Sequence, residues 1–178
     1  MRIFEGVKEL LKTHPQGLKG AAITLGNFDG VHRGHQMLLQ NLTREAVRVQ
    51  GPSVVMTFQP HPLKILAPEK DIFRLFSLED QAAQLEQAGI QYLIRQPFDR
   101  ALAQTSAENF LQQYLLDPLN PKVFVVGHDF HFGQNRKGHV AFLQSLSQAK
   151  GFEVLQVPAF EIKNQIVSSS RQTVARRA

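Results

Sequence analysis

Two histidines three residues apart, His32 and His35, stand in the stretch Gly26-Asn27-Phe28-Asp29-Gly30-Val31-His32-Arg33-Gly34-His35-Gln36, with three glycines and an aspartate. Imidazole N–H groups can face phosphate oxygens, and glycines let a backbone approach a ligand closely. Upstream, Ala21-Ala22-Ile23-Thr24-Leu25 reads as a strand buried on both faces, because its apolar run shows no polar alternation. Downstream, Met37, Leu38, Leu42, Ala46, Val47 and Val49 fall near helical spacing. A tight loop between a buried strand and a helix start collects free backbone N–H groups and the positive end of the helix dipole. The natural occupant is an anion, most often a phosphate. The loop has neither the Gly-Lys-Ser/Thr of a Walker sequence nor Gly-x-Gly-x-x-Gly. No lysine occurs between Gly20 and Lys64, so the histidines stand where a lysine would otherwise face phosphate. Asn27 and Asp29 suit either an Asx turn or direct ligand contact.

Three further segments carry chemistry. Thr57-Phe58-Gln59-Pro60-His61-Pro62 follows a second apolar strand; its prolines and histidine either line a site or stiffen a loop. Gly127-His128-Asp129-Phe130-His131-Phe132-Gly133 follows the most apolar strand. Its alternating aromatics continue the core or wall a flat ligand, which requires aromatic faces with a few polar anchors. A zinc site from His128, His131 and His139 is disfavoured, because the chain lacks cysteine and the spacing matches no zinc pattern. Val167-Ser168-Ser169-Ser170 is a hydroxyl run just before Arg171, either a linker or a phosphate-binding helix start.

The first of these stretches, GNFDGVHRGHQ, resembles the nucleotide-binding loop of the bacterial FAD synthetases, in their FMN adenylyltransferase domain. Its inner part, His32-Arg33-Gly34-His35, is similar to the His-x-Gly-His motif of the wider nucleotidyltransferase superfamily. The segment at 57–62 resembles the family's Thr-Phe-x-Pro-His-Pro, with Gln59 where many members have Asp or Asn. The segment at 127–133 is similar to Gly-x-Asp/Asn-Phe-x-Phe-Gly, and Val167–Ser170 resembles Ile-Ser-Ser-Thr. The family pattern expects an arginine where this chain has Thr173; Arg171 and Arg176 lie nearby but off register.

The resemblance implies a Rossmann-like nucleotidyltransferase fold and the reaction ATP + FMN → FAD + pyrophosphate, with Mg2+ bridging phosphates. It implies catalytic roles for His32 and His35, and nucleotide contacts from Gly26, Asn27, Phe28, Asp29, Gly34, Ser169, Ser170 and Arg171. The flavin would meet Gln59, Pro60, His61, Pro62, Asp129, Phe130 and Phe132, with Asp129 as the polar anchor. A carboxylate is a better magnesium ligand than the Gln59 amide, so the metal ligands stay unassigned. Two other readings remain open: a catalytically weak flavin- or nucleotide-binding module, and a nucleotidyltransferase with another phosphorylated acceptor.

These segments need elements to hold them. Residues 3–13 read as a short strand and an amphipathic helix, and the helix after the histidine loop runs to about Gln50, stopped by Gly51-Pro52. Residues 53–58 form a strand, so strand–helix–strand is a βαβ unit with parallel pairing and right-handed crossover. Residues 59–76, with three prolines, read as an irregular excursion. Ser77-Leu78-Glu79-Asp80 is a capping-box start for a helix ending at Ala88-Gly89. A strand at 91–94 follows, then a helix from Ser106 that Asp117-Pro118 ends. The series closes with strands at 123–126 and 152–157 around a helix at 137–150. The expected architecture is an α/β open parallel sheet of about five strands with helices on both faces. Ligands sit at the carboxyl ends of such strands, where all histidines but His14 fall.

The chain has 178 residues, 43% hydrophobic and 20% charged, with no cysteine and a formal charge of +5. That fits one domain over 1–178 with a sizeable core. A basic balance suits polyphosphate ligands; no aromatic-interleaved basic motif points to nucleic acid. No apolar run nears the ~18 residues that span a bilayer, and the N-terminal residues lack a signal-peptide core, so a cytoplasmic setting is expected. The glycine-rich Pro-Thr-Ala-Asn segment of the family's C-terminal riboflavin kinase domain is missing. A single adenylyltransferase domain is the expectation, either a truncated form or a stand-alone enzyme; a stand-alone enzyme would be supplied with FMN by a separate riboflavin kinase.

Overall fold

Strand β1 (Arg2–Phe4) and helix α1 (Val7–Thr13) lead into β2 (Ala21–Leu25), every residue of which is buried. The computed structural model describes residues 1–29, 33–70, 76–159, 161–162 and 165–166. Helix α2 (Arg33–Arg48) returns the chain to β3 (Ser53–Gln59), and short α3 (Pro62–Leu66) and α4 (Leu78–Gln87) precede β4 (Tyr92–Pro97). Helices α5 (Arg100–Ala103) and α6 (Ala107–Phe110) follow, then a π-helical turn (Leu111–Leu116) and α7 (Asp117–Leu119). Strand β5 (Pro121–Gly127), a two-residue hairpin of β6 (His131–Phe132) and β7 (Gly138–His139), helix α8 (Val140–Lys150) and β8 (Glu153–Val157) come next. Last is a small antiparallel pair, β9 (Glu161–Ile162) and β10 (Gln165–Ile166).

Among the described residues six strands form one sheet in the order β1-β4-β3-β2-β5-β8, all neighbours parallel. The expectation was about five; the sixth is β1, whose three residues pair with Tyr92–Ile94 at the edge. From β2 the chain winds outward first through β3 and β4 and later through β5 and β8. The order therefore reverses beside β2, and that switch point opens a crevice at the carboxyl ends of β2 and β5.

Alternation along the strands splits the core in two. Ala21, Ile23, Leu25, Met56, Ile94, Phe124 and Val126 pack under α1, α6, the π turn and α8. Ala22, Val55, Leu93, Val123 and Val125 face α2 and α4, meeting Leu38, Leu39, Leu42 and Leu85. Helices thus cover both faces, as a sheet hydrophobic on both sides requires.

Three local expectations are corrected. The excursion at 59–76 contains α3, whose first residue is Pro62, where a missing N–H costs nothing. The helix after Ser106 does not end at Asp117-Pro118 but runs on to Leu119. The π-helical turn widens the backbone just ahead of Pro118, and Asn120 closes the helix in the left-handed region. The last helix starts at Val140 rather than 137, because Gly138 and His139 pair with Phe132 and His131.

Candidate active site at the carboxyl ends of the strands

The loop after β2 is anchored on both sides. The Gly26 N–H donates to the Met56 carbonyl at 3.1 Å, carrying the β2–β3 ladder one residue past the strand. The chain then turns at Phe28 (φ 46), a left-handed conformation rare for an aromatic residue. The Phe28 ring is 1% exposed and lies 4.9 Å from the His35 ring at 44°. It also folds back over Gly26, where a Cβ would stand 3.1 Å from it. Phe28 thus serves the loop as an anchor in the core.

The carbonyls of this turn are held from below. Gln81 Nε2 donates to the Asn27 carbonyl at 2.8 Å and to the Phe28 carbonyl at 3.1 Å. The Thr57 hydroxyl adds a bond to the Asn27 carbonyl at 3.3 Å. Sequence reasoning missed Gln81. Its signal was present: it lies four residues before Leu85 on the inner face of α4, a polar residue in an apolar register. Helix α2 begins at Arg33 with no acid in its first turn, so its positive end is unopposed by its own side chains. His35 and Gly34 sit half-buried in that turn. His32, Ser169, Ser170 and Arg171 lie outside the described residues.

The loop after β3 meets the first. His61 Nδ1 accepts the Leu63 N–H at 3.2 Å, capping α3, and His61 Nε2 lies 2.9 Å from the Asn27 side-chain amide. An accepting Nδ1 puts the proton of a neutral ring on Nε2. Asn27 Nδ2 is the atom placed opposite that nitrogen, so a proton on Nε2 requires the amide turned over, with its oxygen toward His61. Gln59, Pro60 and Pro62 are half-buried around it, and the Gln59 carbonyl accepts the Phe98 N–H at 2.9 Å.

The segment after β5 divides by side-chain direction. Phe130 and Phe132 are 9% and 7% exposed and lie in the core, their rings 5.5 Å apart. Phe132 continues through Phe110 (5.8 Å) to Phe58 (6.1 Å), linking the ends of β3 and β5 beneath the crevice. The polar members point outward. Asp129 is exposed, with His128 Nδ1 3.9 Å from its carboxylate. His131 Nδ1 lies 2.8 Å from the Asp129 carbonyl and 3.0 Å from the Arg136 guanidinium. Imidazoles, an arginine and a helix N-terminus thus outnumber the carboxylates Asp29 and Asp129, a balance that favours an anionic ligand.

Comparison with known proteins agrees with this geometry. The family model described as FAD synthetase matches residues 14–171. The bifunctional riboflavin kinase/FMN adenylyltransferase of Escherichia coli (strain K12) is 38% identical over 160 residues, 90% of this chain and 50% of that protein. The homologue named the same way in Pseudomonas fluorescens is 37% identical over 171 residues, covering 96% of this chain and 53% of its own. The chain therefore spans about half the length of the curated relatives it matches. Among solved structures, pantothenate synthetase from Thermus thermophilus superposes with TM-score 0.57 at 22% identity over 97% of this chain and 67% of that one, a likeness of fold alone. Sheet order, loop placement and a family match over nearly the whole length converge: the chain belongs to the FAD synthetase family.

Proposed function

We propose that the chain is an FMN adenylyltransferase, transferring AMP from ATP to the phosphate of FMN. The observation that carries the reading is the loop after β2. Its carbonyls are pinned inward at the switch point of a parallel sheet, beside a helix N-terminus and His35. An FMN phosphate oxygen attacks the α-phosphorus of ATP, one P–O bond forms, the bond to pyrophosphate breaks, and no enzyme intermediate intervenes. Such a reaction needs mainly alignment and charge stabilisation. His32 and His35 would donate to the phosphate oxygens as charge shifts toward the leaving group. Ser169, Ser170 and Arg171 would hold the outer phosphates.

Asp129 and the 59–62 loop would orient the flavin at the carboxyl ends of β5 and β3, on either side of β2. With their rings in the core, Phe130 and Phe132 would set the shape of that wall from behind. Magnesium would come as the ATP complex and neutralise phosphate charge. Asp29 and Asp129, at the ends of neighbouring strands, are hard oxygen donors of the kind it prefers. FMN would come from a riboflavin kinase reaction, the activity that the relatives' names pair with this one, and the substrates imply a cytoplasmic setting.

The deciding experiment is turnover with FMN and Mg-ATP, with FAD separated by chromatography. Wild type is expected to form FAD. His35→Ala is expected to lower kcat by about 10²–10³, the size typical of losing one donor to a developing negative charge. Flavin binding without FAD formation would reduce the protein to a binding module, and no flavin binding would point to another phosphorylated acceptor.

A further inference from the structure

We propose that Gln81 is the positioning residue of the nucleotide loop, a role that rests on the adenylyltransferase reading above. Helix α4 presents two buried residues to the sheet, Gln81 and Leu85. Leu85 is what such a face normally carries. Gln81, 6% exposed, is an amide in the same register. Its two N–H groups reach the carbonyls of Asn27 at 2.8 Å and Phe28 at 3.1 Å. Because both neighbours are acceptors, only one amide orientation is possible. The other end, Oε1, is buried and has no partner among the described residues. An apolar residue would avoid that orphaned acceptor, so packing alone does not explain an amide here.

What the amide does is geometric. In a planar trans peptide the C=O and the next N–H point in opposite directions. Among the described residues the cis bond is Gln59–Pro60, and the peptides after Asn27 and Phe28 are trans. Drawing the Asn27 and Phe28 carbonyls toward the core turns the N–H groups of Phe28 and Asp29 away from it. Two successive N–H groups on one side of a turn are the elementary unit of an anion cradle. The Phe28 ring fixes one end of the turn in the core and Gln81 fixes its backbone. Gln81 therefore sets the loop's donors toward the ATP phosphates without touching the nucleotide.

The test is steady-state kinetics of Gln81→Met, an apolar near-isostere, and Gln81→Lys, which keeps an N–H donor on a chain of similar length. Losing one oriented hydrogen-bonding contact predicts a rise of about tenfold in KM for Mg-ATP for Gln81→Met. KM for FMN should stay within about twofold, and Gln81→Lys should recover most of the loss. An unchanged KM for ATP, or equal rises for both substrates, would overturn the proposal, as would failure of Gln81→Lys to recover when it melts like wild type. If Gln81→Met does not fold, the ATP-to-FMN comparison in Gln81→Lys against Gln81→Glu, which keeps the shape and loses the NH2, decides in its place. Should wild type form no FAD, the adenylyltransferase reading fails on its own. Mg-ATP affinity by titration of the same variants then tests Gln81 separately.

Discussion

A carbon added at Gly51 would land 1.8 Å from the Gly20 carbonyl oxygen, a backbone atom that cannot step aside. One added at Gly151 would meet nothing within 4 Å, and only its φ of 74 resists a side chain. Gly51→Ala is therefore expected to cost about 3 kcal/mol or more, since overpacking against backbone forces strands apart. Gly151→Ala should cost only about 1 kcal/mol, the penalty of a left-handed alanine. Urea titration of both variants measures the difference, and equal losses would contradict the steric account. At this scale the sequence was most informative where a residue type has one common use. The glycines and histidines of 26–36 read as a phosphate loop by type alone, and the structure brings Asn27 of that stretch against His61 of the next. It was least informative where direction matters. Phe130 and Phe132 read equally well as ligand wall or core, and nothing in their spacing tells which way a short hairpin turns its rings. Gln81 drew no reading, because a glutamine in a helix is usually solvated unless its face is known.

Helix α4 shows what an element contributes. Ser77 accepts the Asp80 N–H at 3.0 Å while Asp80 accepts the Ser77 N–H at 3.3 Å, the reciprocal capping box read from four residues. The Ser77 carbonyl also receives the Gln81 N–H at 3.1 Å, so the cap fixes the turn that carries the loop's anchor. Ser77→Ala is expected to destabilise the protein by about 1 kcal/mol. A chemical denaturation curve checks it, and a loss below a few tenths would mean the first turn is held by packing instead. Caps are legible because they are local. Helix α3 was not, since five residues without a buried member leave no period to detect. The passage through Pro118 was not either. Proline reads as a stop, and only a widened turn lets the chain continue.

Across the whole molecule, α2 is clipped to the edge of the sheet. Arg48, in its last turn, bonds Glu45 at 2.6 Å and forks onto Glu153 of β8 at 2.7 and 3.3 Å. The Glu153 and Glu45 hydrogen bonds raise the Arg48 guanidinium above its ordinary value, so it stays charged throughout the working pH range. Both Arg48 and Glu153 are well exposed, and salt screens such a clip. Arg48→Met should lower Tm slightly in dilute buffer and leave it unchanged in about 1 M salt, where charges see only ~3 Å. A loss that persists in salt would show that the arginine's stem, rather than its charge, does the holding. The parallel sheet, the helices on both faces and the gathering of histidines at one end were legible from strand–helix alternation. The sixth strand reads as a short strand at residue 3, but three residues carry too little pattern to assign it to the edge of the sheet.

The pairing of β2 has a consequence for how the protein is made. β2 leads into the glycine–histidine loop, yet Ala21 finds its partner on one side at Pro121, one hundred residues along the chain. At about 5–20 residues per second of synthesis, that partner leaves the ribosome roughly 5–20 s after β2 does. During this interval the nascent chain holds the entire glycine–histidine sequence beside only one wall of its crevice. On the adenylyltransferase reading proposed above, a nucleotide would meet a complete site only once the late strand has joined β2.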